Sequence, residues 1–165
     1  MINTNETQIS KAAEGNKLLI TRDFNAALPK VWRAWTESDL LEKWWAPRPW
    51  KAVTTTMDFS KGGKWFYAMT SPQGEKHWCR VDFHDIEPES SFKSSASFTD
   101  EEGTTNTAFP VMHWTVQFSG AGDSTHVDIE INFDSEADLQ AIVQMGFKEG
   151  FTMAQGNLDE LLEEL

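Results

Sequence analysis

Few residues in this chain have the types and spacing that chemistry requires. His77 and Cys79 stand two apart in a strand-like segment, so both side chains leave the same face, the minimum for two metal ligands. No CxxC or HExxH accompanies them, so no metal site is assigned, and Cys79 reads as a small buried hydrophobe. His113 facing Glu130, with His126 and Asp128 nearby, could imitate an acid–base pair. All four fall on the polar side of an alternating pattern, where cross-strand charged pairs are ordinary surface chemistry. Gly62-Gly63 has no Lys-Ser or Lys-Thr after it at P-loop spacing, and no serine sits in a GxSxG elbow. The sequence thus displays no catalytic set, implies no cofactor, and leans away from an enzyme.

What stands out instead is aromatic volume. Eight tryptophans and eleven phenylalanines accompany a single tyrosine, and three of the tryptophans fall in EKWWAPRPWK, from Glu42 to Lys51. Such volume must be buried or must line something. The net charge is −12, and the last thirty-two residues carry eight acids against Lys148 alone. That balance repels nucleic acid and anionic lipid, so neither is an expected partner. A mild basic excess at Lys43, Arg48, Lys51, Lys61 and Lys64 reads mainly as solvation. With one cysteine there is no internal disulfide, and the start MINTNETQISKAAEGN has neither the basic front nor the apolar run of a signal peptide. No later run is long enough to span a membrane, and the expected location is cytoplasmic.

The elements that position these residues follow from periodicity. Residues 1–16 read as a flexible leader and 17–165 as one domain. A first strand at 18–24 precedes a short helix opened by Pro29, and a capping-box spacing of Thr36 and Asp39 predicts a second helix through DLLEKWW that stops before Pro47. From Trp50 the period becomes two, giving strands at about 51–59, 64–70, 76–87, 91–99, 109–119 and 125–133. The loops between them, SKGG, SPQG, EPES, DEEGTTN and GAGD, suit antiparallel neighbours. In the last pair Met112, Trp114, Val116 and Phe118 share a face, as do Val127, Ile129, Ile131 and Phe133, with Trp114 expected opposite Ile129. Residues 136–165 carry an apolar stripe at helical spacing, broken by Gly146 and Gly150, which either admit a close neighbour, bend the helix or leave room. The fold class is α+β: about seven antiparallel strands in β-α-α-β6-α order, curved around a long closing helix.

Several segments carry a family resemblance: LLEKWWAPRPW, MDFSKGGKW, SPQGEKHWCRVDFHDIEPESSF and MGFKEGFTMAQGNLDELLEEL. Together they resemble the bacterial relatives of the activator of the Hsp90 ATPase, within the START-like or SRPBCC superfamily. The likeness runs from Leu18 to Leu165. It implies a helix-grip fold with a cavity between sheet and closing helix that commonly holds apolar ligands. It transfers no catalytic residue, and the eukaryotic activators carry an extra amino-terminal domain for which 165 residues leave no room. Where the family usually has glycine then tryptophan, this chain has Gly150 then Phe151, which is expected to widen the cavity.

On that basis the expected lining is Trp65, Tyr67 and Met69, then Val81, Phe83 and Phe98, then Trp114 and Val116, with Phe147, Phe151 and Met153 from the closing helix. Tyr67, His77 and Thr54 or Thr56 are the polar groups that could face the cavity. Trp44, Trp45 and Trp50 are candidates for its mouth, though their bland role is as packing anchors of a corner. The expected activity is carriage or sensing of a small apolar molecule, a lipid, polyketide or flavonoid-like compound. A protein-interaction module, marked by exposed aromatics at 44–50, and a cyclase or hydrolase, marked by a buried acid or base at the cavity wall, are the alternatives.

Overall fold

The computed structural model describes residues 6–13 and 15–165. One antiparallel sheet of eight strands is the frame, in the order β1-β2-β8-β7-β6-β5-β4-β3. In chain order these are β1 (Gln8–Lys11), β2 (Lys17–Phe24), β3 (Lys51–Met57), β4 (Lys64–Thr70), β5 (Lys76–Glu87), β6 (Ser91–Thr99), β7 (Met112–Ala121) and β8 (Ser124–Asn132). Helices α1 (Leu28–Thr36) and α2 (Ser38–Leu41) lie between β2 and β3, and α3 (Glu136–Gln144) and α4 (Phe147–Glu164) close the chain. The six strands from β3 to β8 are joined as consecutive antiparallel neighbours, and every connection but the twelve residues 100–111 between β6 and β7 is too short for a crossover. β2 then seals the far side by pairing with β8.

The helix-grip arrangement expected from the sequence is present, with four differences in detail. Part of the expected leader is structured: Gln8–Lys11 adds an eighth, edge strand to β2, while residues 1–5 and 14 lie outside the described residues. Four residues of mixed polarity were too short to show a period. The capping box does not form, since the Thr36 hydroxyl donates to the Trp32 carbonyl instead and α2 is only four residues long. Trp44 and Trp45 therefore sit in turns that follow α2. The β7–β8 hairpin turns on two residues rather than four, so Trp114 pairs with Ile131 and His113 with Asn132. Because the shift is even, every side chain keeps its face.

The closing segment is two helices rather than one. Gly146 adopts φ of +92°, a left-handed conformation that glycine accepts without a Cβ penalty, and this ends α3 and restarts the chain as α4. Ser135 caps α3 through the Asp138 amide at 3.1 Å. α4 lies across the sheet with Phe151, Ala154, Leu158, Leu161 and Leu162 buried. A two-pronged ion pair pins it: Arg22 of β2 donates to both carboxylate oxygens of Asp159 at 2.7 and 2.6 Å, beside the Phe24 ring.

Two measurements check this frame. Asp159→Ala leaves the Arg22 guanidinium, whose side chain is only 7% exposed, without its carboxylate. It should lower stability by about 3 kcal/mol in urea denaturation. On the outer face, His126 bonds Asp23 across the β2–β8 pair at 2.6 Å, and that bond raises its pKa, opposed next by burial and supported further by Asp128. A raised native pKa contributes stability that is complete below the unfolded value of about 6.5 and is lost as pH rises through the native one. His126→Gln should therefore cost more stability at about pH 6 than at about pH 9, where the two proteins should converge.

Candidate functional site

The turn after α2 places two adjacent tryptophans in opposite roles. Trp44 is fully buried and donates its indole N–H to the Ala34 carbonyl at 2.9 Å, which ties the turn to α1. Trp45 points the other way, over the sheet, and donates to the Tyr67 hydroxyl at 2.8 Å. Its ring lies 5.7 Å from Trp65, 5.9 Å from Trp114 and 6.3 Å from Phe151, so one side chain touches β4, β7 and α4 together. The Arg48–Pro49 peptide that follows is cis, and the chain turns from there into β3.

Beside Trp45 is a cavity of about 230 Å³. The sheet supplies Tyr67 and Met69 from β4, Cys79 from β5, Ala96, Ser97 and Phe98 from β6, and Met112 and Trp114 from β7. The helical side supplies Ile142, then Met145 and Gly146 at the helix break, then Phe147, Gly150 and Phe151. Pro47 completes the wall, and a Cβ added at Gly150 would stand 3.4 Å from its Cγ. Tyr67, Cys79 and Trp114 from the sheet and Phe151 from α4 are buried, while Met145 is 52% exposed and marks the open side at the helix break. A smaller inner void of about 30 Å³ shares Trp45, Ala96 and Trp114 with it.

The sequence-predicted residues divide between these spaces. Tyr67, Met69, Phe98, Trp114, Phe147 and Phe151 line the larger cavity. Trp65, Val81, Phe83 and Val116 line the inner void, which is too small for an organic ligand. Met153 does neither: it is 49% exposed on the outer side of α4, about 200° of helical turn from the inward Phe151. Of the mouth residues, Trp45 is on the wall, Trp44 is core, and Trp50 lies over the exposed His77 ring at 5.2 Å on the far side of the corner. The corner is thus not a contiguous exposed aromatic patch.

Among the suggested polar groups, Thr54 accepts from the Trp65 indole at 3.0 Å and Thr56 is exposed beyond a bulge in β3. His77 bonds Glu75 outside the cavity. Only Tyr67 turns in. Met112, Met145, Gly146, Gly150 and Pro47 were not named as lining, although Met112 belonged to an inward set and the glycines interrupted the stripe.

Among the described residues, the cavity wall contains no carboxylate, imidazole, ammonium or guanidinium group. Its two titratable side chains are both held neutral. Burial, then the neighbouring Cys79, pushes the Tyr67 phenol well above its ordinary value, and burial pushes the Cys79 thiol up to about 11. Trp114 contributes an indole N–H that is buried without a hydrogen-bond partner. The arrangement is a mostly apolar pocket with two hydroxyls, those of Tyr67 and Ser97, and one idle donor in its neighbourhood. Among the described residues no group of His, Cys, Asp and Glu could hold a metal, and no helix is long and apolar enough to cross a membrane.

A cavity between a curved sheet and the closing helical segment is the geometry the resemblance implied, though without the break at Gly146, and the sequence comparison agrees on the family. Residues 25–163 match the family described as Activator of Hsp90 ATPase homolog 1-like protein. The chain belongs to that family. Solved structures of similar proteins extend over nearly the whole Hsp90-activator-like domain. A solution structure from Arthrobacter aurescens is 32% identical, covers 96% of this chain and 92% of its own, and superposes with a TM-score of 0.89. A crystal structure from Mycobacterium smegmatis is 29% identical, with 94% and 96% covered and a TM-score of 0.86. A solution structure from Staphylococcus epidermidis is 27% identical, with 95% and 94% covered and a TM-score of 0.83. No functionally curated protein matches the chain.

The thiol provides a direct check on the neutral wall. At about pH 7.5, Cys79 in the folded protein should react with iodoacetamide on the order of a hundredfold more slowly than in the urea-unfolded chain, since so little thiolate is present. Comparable rates would mean that the thiol is ionised or outside the pocket.

Proposed function

We propose that this protein binds a small, mostly apolar molecule in the cavity beneath the α3–α4 break, as a carrier or sensor. The observation that carries the reading is the cavity itself: a hollow of about 230 Å³, walled by aromatic and methionine side chains, with an opening at Met145. Well-packed interiors leave few voids larger than a water molecule, so a hollow of this size indicates a space for something. The wall favours binding over chemistry, because Tyr67 and Cys79 stay protonated near neutral pH and no other acid or base reaches it. That weighs against the cyclase or hydrolase alternative. The protein-interaction alternative lacks the exposed aromatic corner it called for, since Trp44 and Trp45 turn inward.

Amide chemical-shift mapping against a panel of small apolar molecules tests the proposal. Saturable shifts are expected on β4 to β7 and around Gly146. Met69→Trp, which places an indole in the hollow, should abolish them while the spectrum stays dispersed. Shifts confined to Trp50 and its neighbours, or unaffected by Met69→Trp, would overturn it.

A further inference from the structure

The cavity also constrains what it holds, and the following rests on the reading that it binds a ligand. We infer that the ligand is a compact, neutral, flat molecule of one or two fused rings, carrying a hydrogen-bond acceptor that meets the indole N–H of Trp114. Size is the first argument. A dry engineered cavity of about 150 Å³ accepts benzene, and pockets for drug-sized ligands begin at about 300 Å³. At about 230 Å³ this cavity lies between them, beyond a single bare ring and short of a flavonoid or a long acyl chain.

Charge is the second argument. No ionised side chain lines the space, and the protein carries a net charge of −12, so a carboxylate or phosphate would lose its hydration with nothing in return. A cation finds no carboxylate in the wall either.

Shape is the third. Phe147 and Phe151 stack at 5.4 Å with 9° between their planes, and Trp114 meets both edge-on at 6.2 and 5.7 Å. Such walls offer both ring faces and ring edges to a flat guest.

The acceptor follows from an unmade bond. Trp114 is 5% exposed, lines the cavity, and has its Nε1 hydrogen without a partner, whereas Trp44, Trp45 and Trp65 each donate to an oxygen. Leaving a buried donor unsatisfied is costly, and an oxygen brought in by the guest relieves that cost. Trp35 has an equally idle indole N–H but lies only against the inner void, so it serves as a built-in control.

The test is titration of the folded protein with 1-tetralone, naphthalene, a flavonoid and palmitate, followed through the tryptophan indole N–H resonances. Tetralone should bind best and move the Trp114 resonance downfield with the Trp35 resonance unmoved. Naphthalene should bind without that downfield shift. Trp114→Phe should weaken tetralone about three- to tenfold more than it weakens naphthalene. Tighter binding of the flavonoid or palmitate would overturn the size assignment while leaving ligand binding intact. Saturable tetralone binding with a stationary Trp114 resonance, or equal losses for tetralone and naphthalene in Trp114→Phe, would overturn the acceptor. Binding of none of the four would overturn this inference together with the reading beneath it.

Discussion

The bond from the Trp45 indole to the Tyr67 hydroxyl, 2.8 Å long, is the constraint on which the interior depends. It holds a large ring over the sheet at the point where β4, β7 and α4 converge. On one side of that ring the core closes to a void of about 30 Å³, and on the other it stays open at about 230 Å³. Trp45 therefore acts as a partition. Its position is set from behind by Trp44, which is anchored to the α1 backbone and lies 5.3 Å from it. Two adjacent tryptophans in one turn can do this because a turn sends consecutive side chains in different directions, one into the core and one across the cavity.

The helix break complements the partition. A continuous helix from Glu136 would carry its apolar stripe straight across the sheet and cover the space. Gly146 redirects the chain, Met145 is left at the surface, and α4 re-enters with Phe147 and Phe151 facing the hollow. Bonds at the opposite side fix α4 in place, from Arg22 to Asp159 and from Asn157 to the Ala46 carbonyl. The acids that give the protein its net charge are kept out of the cavity wall, so the field inside comes from aromatic edges, two protonated side chains and the Ser97 hydroxyl. An apolar pocket within an acidic protein selects against anions twice, by desolvation and by repulsion.

Much of the fold was legible because its strands alternate. Lys64–Thr70, Lys76–Glu87 and Ser91–Thr99 begin and end where turn residues interrupt a period of two. Trp65, Tyr67 and Met69 share a face for the same reason, and that face is the inner one. Which of these residues reach the cavity was not legible, since face is a property of one strand whereas a cavity depends on what crosses above it. Trp65 and Tyr67 stack 3.9 Å apart on the same face, yet only Tyr67 lines the larger space, because Trp45 stands between. Met153 was misplaced because it lies two residues, about 200° of helical turn, beyond the inward Phe151, which puts it on the outer face of α4. Edge strand β1 and the two-residue β7–β8 turn depend on pairing partners remote in sequence, or on a single backbone conformation, and neither leaves a periodic trace.

The central claim is that a guest occupies the space between Trp45 and the α3–α4 break. The six methionines can report on it, because Met69, Met112 and Met145 line that space while Met57 and Met153 lie elsewhere. The decisive measurement is the set of intermolecular nuclear Overhauser effects from a bound aromatic guest to methionine methyls labelled with carbon-13. The account predicts contacts to Met69, Met112 and Met145 and none to Met57 or Met153. Contacts to Met57 or Met153 without those to Met69 and Met112 would place the guest outside the cavity and contradict it.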